Sequence, residues 1–151
     1  FVSAIRRVEP ILGTESVVRA YEITGDIDIR MVDAVRAALN SGFRKIIITS
    51  RGGEMLAARE ISKMLNDMNA ELSALGQCHS ACAYMWLSTS HRTLGSAANL
   101  ALHASYDGRG VNDYGARWLA EMGRPDLMVW AQSLDMHTLT DRELKGQGEQ
   151  D

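Results

Sequence analysis

Residues 45–53 read Lys45-Ile46-Ile47-Ile48-Thr49-Ser50-Arg51-Gly52-Gly53. Three consecutive isoleucines leave no polar face, the pattern of a strand covered on both sides within a parallel sheet. The paired glycines mark a turn. After it, Ile61, Met64, Leu65 and Met68 fall on one face of a helix expected over residues 54–68. The same strand, turn and helix order occurs just upstream. Residues 16–23 are rich in β-branched and aromatic side chains and end at Thr24-Gly25-Asp26. Asp28 is placed to cap a helix running to about Asn40, with Met31, Val32, Val35, Ala38 and Leu39 on its apolar stripe. Alternating β and α segments joined by short connections predict right-handed crossovers, hence an α/β fold with a parallel sheet covered by helices.

Downstream, residues 70–75 read as a weaker strand that leads into a turn, Gly76-Gln77-Cys78-His79-Ser80-Ala81-Cys82. Residues 81–87 suit a short buried helix. Two further strands are expected at 92–94 and 99–103, on either side of Gly95-Ser96, and residues 105–110 read as loop. Helices follow at 114–122, at 125–134 with Pro125 in the first turn, and at 140–145. Trp86, Trp118 and Trp130 fall in helical stretches and, like the methionines, are read as packing residues. The chain is expected to form one domain over 1–151, with 1–15 and 146–151 peripheral.

The composition narrows the function classes. Of 151 residues, 46% are hydrophobic and 23% charged, which suits a globular chain. A formal charge of -3 with scattered basic residues gives no footprint for nucleic acid. No apolar run is long enough to predict a membrane span. The first residue is Phe1 rather than Met, which fits a mature form whose leader has been removed. Cys78 and Cys82, with His79 and His91 nearby, have no recognisable zinc-ligand spacing, so no metal is expected. On a regular helix, residues four apart hold their Cβ atoms about 6 Å apart, too far for a disulfide. A Cys78–Cys82 bridge therefore requires Cys78 to lie outside the helix, and two buried thiols are the alternative.

Ser80 stands between a glycine-containing turn and a short apolar helix, where free N–H groups and the helix dipole favour developing negative charge. A serine hydroxyl needs a base, and His103 ends the apolar run Leu100-Ala101-Leu102-His103. Gly52 and Gly53 allow close backbone approach and, with the N–H of Ala81, are candidate donors to an oxyanion. Each feature also has a structural reading: a serine cap, a hydrogen-bonded histidine, a helix-entry turn.

Taken together and in order, these segments resemble a known family. Residues 46–53 are similar to the strand and S-P-G-G turn of the Clp protease proteolytic subunit, with Arg51 where proline is usual. Gln77 to Leu87 (QCHSACAYMWL) resembles the nucleophile turn and helix of that crotonase-like superfamily, and its C-x-S-A-C pattern resembles a family of exported bacterial Clp-like proteins. Residues 100–103 resemble the strand ending in the superfamily's catalytic histidine, and Thr24-Gly25-Asp26-Ile27 its opening strand and turn. The resemblance implies a crotonase-like fold of repeated ββα units and a serine peptidase. Ser80 would be the nucleophile, His103 the base, and backbone N–H groups near Gly53 and Ala81 the oxyanion hole. It places Asp135 as the orienting acid; Asp107, Asp113, Asn112 or a backbone carbonyl are alternatives. It further implies a peptide or protein substrate, no cofactor, a homo-oligomer, and an exported, periplasmic setting. A non-catalytic scaffold and an acyl-thioester enzyme on the same fold are the rival readings.

Overall fold

The structure is a computed structural model that describes the backbone of residues 2–10 and 17–146 and the side chains of residues 19–146. Strand β1 (Val2–Pro10) pairs antiparallel along the whole of β2 (Val17–Gly25) and forms one sheet edge. The sequence pattern assigns no strand to this opening segment. Helix α1 (Ile29–Asn40) starts at Asp28, whose carboxylate accepts the N–H groups of Arg30 and Met31. That is the expected N-cap, satisfying donors that a helix start leaves unpaired. Strand β3 (Lys45–Ser50) then pairs parallel to β2, and helix α2 (Met55–Asp67) follows the two-glycine turn.

The isoleucine run faces two environments. Ile46 and Ile48 join the main buried cluster with Ile23, Leu72 and Ala74 and the apolar faces of α1 and α2. Ile47 is buried on the opposite face, in a row with Glu22 and Ser73 that is only half-buried. The helices thus seal one face, and the other is mostly polar.

Strand β4 (Glu71–His79) runs parallel to β3 and is longer than the sequence suggested. Its register breaks once: Ile48 pairs with Ala74 but Ser50 pairs with Cys78, so β4 uses four residues where β3 uses two. The break changes its neighbour. Before it, β4 pairs with β5 (His91–Leu94); after it, Gln77, Cys78 and His79 pair with β6 (Asn99–Leu102). Between these strands lies helix α3 (Ala81–Ser88), whose residues Ala81 to Leu87 are all buried. Helix α3 therefore runs through the core, and its start is fixed at the end of β4.

The segment read as loop contains a small hairpin, β7 (Tyr106–Asp107) and β8 (Gly110–Val111). Helix α4 (Tyr114–Glu121) is followed by a 3₁₀ helix (Pro125–Ala131) that ends before Leu134, which is exposed and offers no burial to prolong it. Strand β9 (His137–Thr138) pairs antiparallel with β6, and α5 (Asp141–Lys145) closes the described chain with a Thr140/Glu143 capping box. Among the described residues no helix is long and apolar enough to cross a membrane.

Candidate active site

Ser80 joins β4 to α3 in a conformation that L-residues rarely adopt, φ 56° and ψ -123°. It occupies the helix N-cap position, yet its hydroxyl makes no capping hydrogen bond. The ordinary reason for a serine here is therefore missing. A non-glycine residue held at such an angle costs about 1–3 kcal/mol and persists only where its surroundings impose it. Those surroundings are visible. The Ser80 N–H donates to the Ala101 carbonyl at 2.8 Å, tying the turn to β6. A disulfide joins Cys78 on β4 to Cys82 on α3, so both sides of the turn are cross-linked. Cys78 lies outside the helix, the condition on which a bridge depended.

Gly52 supplies the third restraint. A Cβ there would stand 2.9 Å from the His79 carbonyl oxygen, 3.0 Å from Ser80 Cβ and 3.3 Å from the Ala81 nitrogen. Only a hydrogen fits. The glycine turn thus packs directly beneath the serine turn, and the Ser50 hydroxyl accepts the Gly52 N–H at 3.1 Å to hold it there. Among the described residues the N–H groups of Gly53 and Ala81 find no intrachain acceptor. Two donors in adjoining turns are what an oxyanion requires.

The strain yields a test. Ser80→Gly is expected to be more stable than Ser80→Ala by about 1 kcal/mol, because glycine takes the positive φ freely and alanine does not. Thermal or denaturant unfolding of the two variants checks it; equal midpoints would mean that the turn stores no strain.

His103 follows β6, and its carbonyl accepts a 2.7 Å hydrogen bond from the Tyr84 hydroxyl. Tyr84 lies one helical turn beyond Ser80 on α3, so this bond links the two segments. Space for the hydroxyl comes from Gly115, where a Cβ would stand 2.6 Å from it. Burial pushes the Tyr84 phenol above its ordinary pKa, so it remains a donor. The His103 ring lies against Tyr106, with centroids 6.1 Å apart. Burial first, and electrostatic repulsion from His79 second, pull the His103 pKa below its ordinary value.

Two features of an assembled triad are missing. No hydrogen bond joins the Ser80 hydroxyl to the His103 ring among the described residues, and Nδ1 of His103 is buried without a partner. Among the described residues Asp135 makes no hydrogen bond to the ring; it is exposed, and its own N–H donates to the Ser133 hydroxyl. The alternatives are engaged elsewhere. The Asp107 carboxylate accepts the Arg109 N–H, Asp113 pairs with Arg117, and the Asn112 side-chain oxygen accepts from the Ser105 hydroxyl and the Tyr114 N–H.

His79 is half-buried, with a hydrogen-bond partner at each ring nitrogen. Nδ1 lies 3.1 Å from the Gln77 amide nitrogen and Nε2 lies 2.6 Å from the Asn99 side-chain oxygen. An amide nitrogen can only donate, so Nδ1 accepts and Nε2–H donates. Gln77 and His79 alternate along β4 and share one face, a relation that appears only once β4 is seen to run on to His79.

Ser80 opens on a cavity of about 530 Å³, whose walls include Gly53, Met55, Leu56, Tyr106 and Tyr114. The candidate nucleophile, one candidate oxyanion donor and the tyrosine beside His103 therefore border a single space. Among the described residues no three His, Cys, Asp or Glu side chains are grouped to hold a metal ion.

No protein-family model and no curated protein matches the sequence. Solved structures do match the fold. A ClpP1 point mutant from Listeria monocytogenes superimposes with a TM-score of 0.63 at 18% identity, covering 83% of this chain and 85% of its own. The Pseudomonas aeruginosa protein PA4980 gives a TM-score of 0.54 at 14% identity, covering 88% of this chain and 71% of its own. At such identities the likeness concerns the fold, which is Clp protease-like.

Proposed function

We propose that this chain is a serine hydrolase that cleaves peptide bonds, with Ser80 as nucleophile and His103 as general base. The observation that carries the reading is Ser80 itself: a non-glycine residue at φ 56°, its hydroxyl free of any capping role, on the wall of a cavity. Strain of this kind collects at catalytic turns between a strand and a helix. Ser80 Oγ would bond to the substrate carbonyl carbon as its proton passes to His103 Nε2. The N–H groups of Gly53 and Ala81 would hold the oxyanion, and collapse of the tetrahedral species would break the C–N bond as His103 returns the proton to the leaving amine. Water repeats the sequence on the acyl-enzyme. Reaction with a fluorophosphonate, read by mass spectrometry, tests the proposal, since only an activated serine is modified.

The reading extends to the assembly and the setting. A homo-oligomer in a crotonase-like arrangement and an exported location rest on the family resemblance, and a Cys78–Cys82 disulfide suits an oxidising compartment. The third catalytic member is left open, Asp135 included. A second reading, a binding protein that keeps the shape without turnover, draws support from the unpartnered His103 Nδ1. A base acting through Nε2 must carry its proton on Nδ1, and a buried N–H without an acceptor costs about 1–3 kcal/mol.

The pH dependence follows from the environment of His103. The base works only unprotonated, and its pKa is lowered by burial and by His79. Activity is therefore expected to persist as pH falls through the ordinary histidine value of about 6.5 and to be lost only below it. A kcat/KM profile whose acid limb lies at or above that value would remove His103 as the base.

A further inference from the structure

The cavity beside Ser80 carries charge as well as shape. Met55, Leu56, Tyr106 and Tyr114 give it apolar walls, and Leu56 and Tyr106 are among the most exposed large apolar side chains of the molecule. Two carboxylates share the lining, Glu54 from the start of α2 and Asp107 from the β7–β8 hairpin. No Lys or Arg lines it among the described residues. Among the described residues neither carboxylate has an ion-pair partner, and Asp107 accepts the backbone N–H of Arg109. Arg51 pairs with Asp26, Arg59 with Glu121 and Arg117 with Asp113, and Arg109, two residues beyond Asp107, lies outside the lining.

An apolar surface flanked by two unneutralised carboxylates discriminates by sign. It attracts a cationic group and repels an anionic one, over a range of about 10 Å at 0.1 M salt. We propose that the substrate segment places an apolar side chain in this cavity with a Lys or Arg beside it, and that Glu54 and Asp107 are specificity-determining residues that reject acidic segments. This rests on the hydrolase reading and adds the class of substrate to it. Glu54 follows Gly53, whose N–H is a candidate oxyanion donor, so a charge selected there lies close to the reacting carbonyl.

The test uses two peptidyl fluorophosphonates that share a leucine and differ only in a neighbouring Lys or Glu, with the second-order rate of Ser80 labelling as readout. Turnover is not needed. The Lys probe is expected to react about tenfold faster at low ionic strength, and the difference to shrink to about twofold in 0.5 M salt, because exposed charges are screened. Glu54→Gln and Asp107→Asn should each reduce the preference, and the two together should remove it. Labelling at equal rates, or a preference that neither salt nor the double change alters, overturns this inference and leaves the hydrolase reading intact. If neither probe labels Ser80, the hydrolase reading falls and this inference with it. The salt titration of the unaltered protein decides the matter even where a variant fails to fold.

Discussion

Ser80→Ala is expected to abolish hydrolysis, and His103→Ala to lower turnover by a factor of about 10⁴ or more. The two changes together should cost little more than the worse one, because a nucleophile without its base and a base without its nucleophile are equally idle. Asp135→Asn is expected to change turnover by only a few-fold, since Asp135 is exposed and Nδ1 of His103 has no partner. Steady-state kinetics on one peptide substrate measure all four proteins. Losses from Ser80→Ala and His103→Ala that multiply in the double variant would mean that the residues act separately. A large loss from Asp135→Asn would restore it as the orienting acid, reached by a rearrangement that closes on the ring.

Gly53→Ala is the change expected to disturb the fold most for its size. Its Cβ would overlap the Ile27 carbonyl oxygen and stand 2.7 Å from the Ile27 nitrogen, at a residue whose φ is 151°. Two hydrogen bonds fix the backbones in that close approach, Ile27 N–H to the Gly52 carbonyl at 2.9 Å and Glu54 N–H to the Ile27 carbonyl at 2.8 Å. Ile27 is fully buried and precedes the Asp28 cap, so relief by movement would uncouple α1 from the glycine turn. A loss of about 3 kcal/mol or more in denaturant unfolding is expected, at the severe end for a single methyl group. The variant should also label poorly, because the Gly53 N–H is a proposed oxyanion donor. A midpoint unchanged within error would show that the turn tolerates a side chain and that Gly53 does not pack closely on Ile27.

What was legible in the sequence follows physical lines. The isoleucine run, the Asp28 cap and the apolar stripes of α1 and α2 are local patterns, and the structure bears out their strand and helix assignments. Strand β4 was cut short in the sequence reading because Gly76 and Gln77 look like turn residues; pairing with β6 carries the strand on to His79. That extension decides where Cys78 lies, which four-residue spacing alone left open. Strand β9 and the β7–β8 hairpin have strands of two residues each, too short for any alternation to register. The glycines were read as allowing close approach to a substrate. Within the chain their nearest neighbours are at Ile27 and at the serine turn, a tertiary contact that no local pattern shows. Asp135 had no local pattern behind it, since contact with a histidine 32 positions earlier depends on tertiary packing alone.

The most direct test of the account is fluorophosphonate labelling of the intact protein, followed by peptide mapping. One adduct per chain is predicted, on Ser80, absent from Ser80→Ala and strongly reduced in His103→Ala. Failure to label under conditions where the protein is folded, or an adduct carried by a different residue, would contradict the assignment of Ser80 as an activated nucleophile.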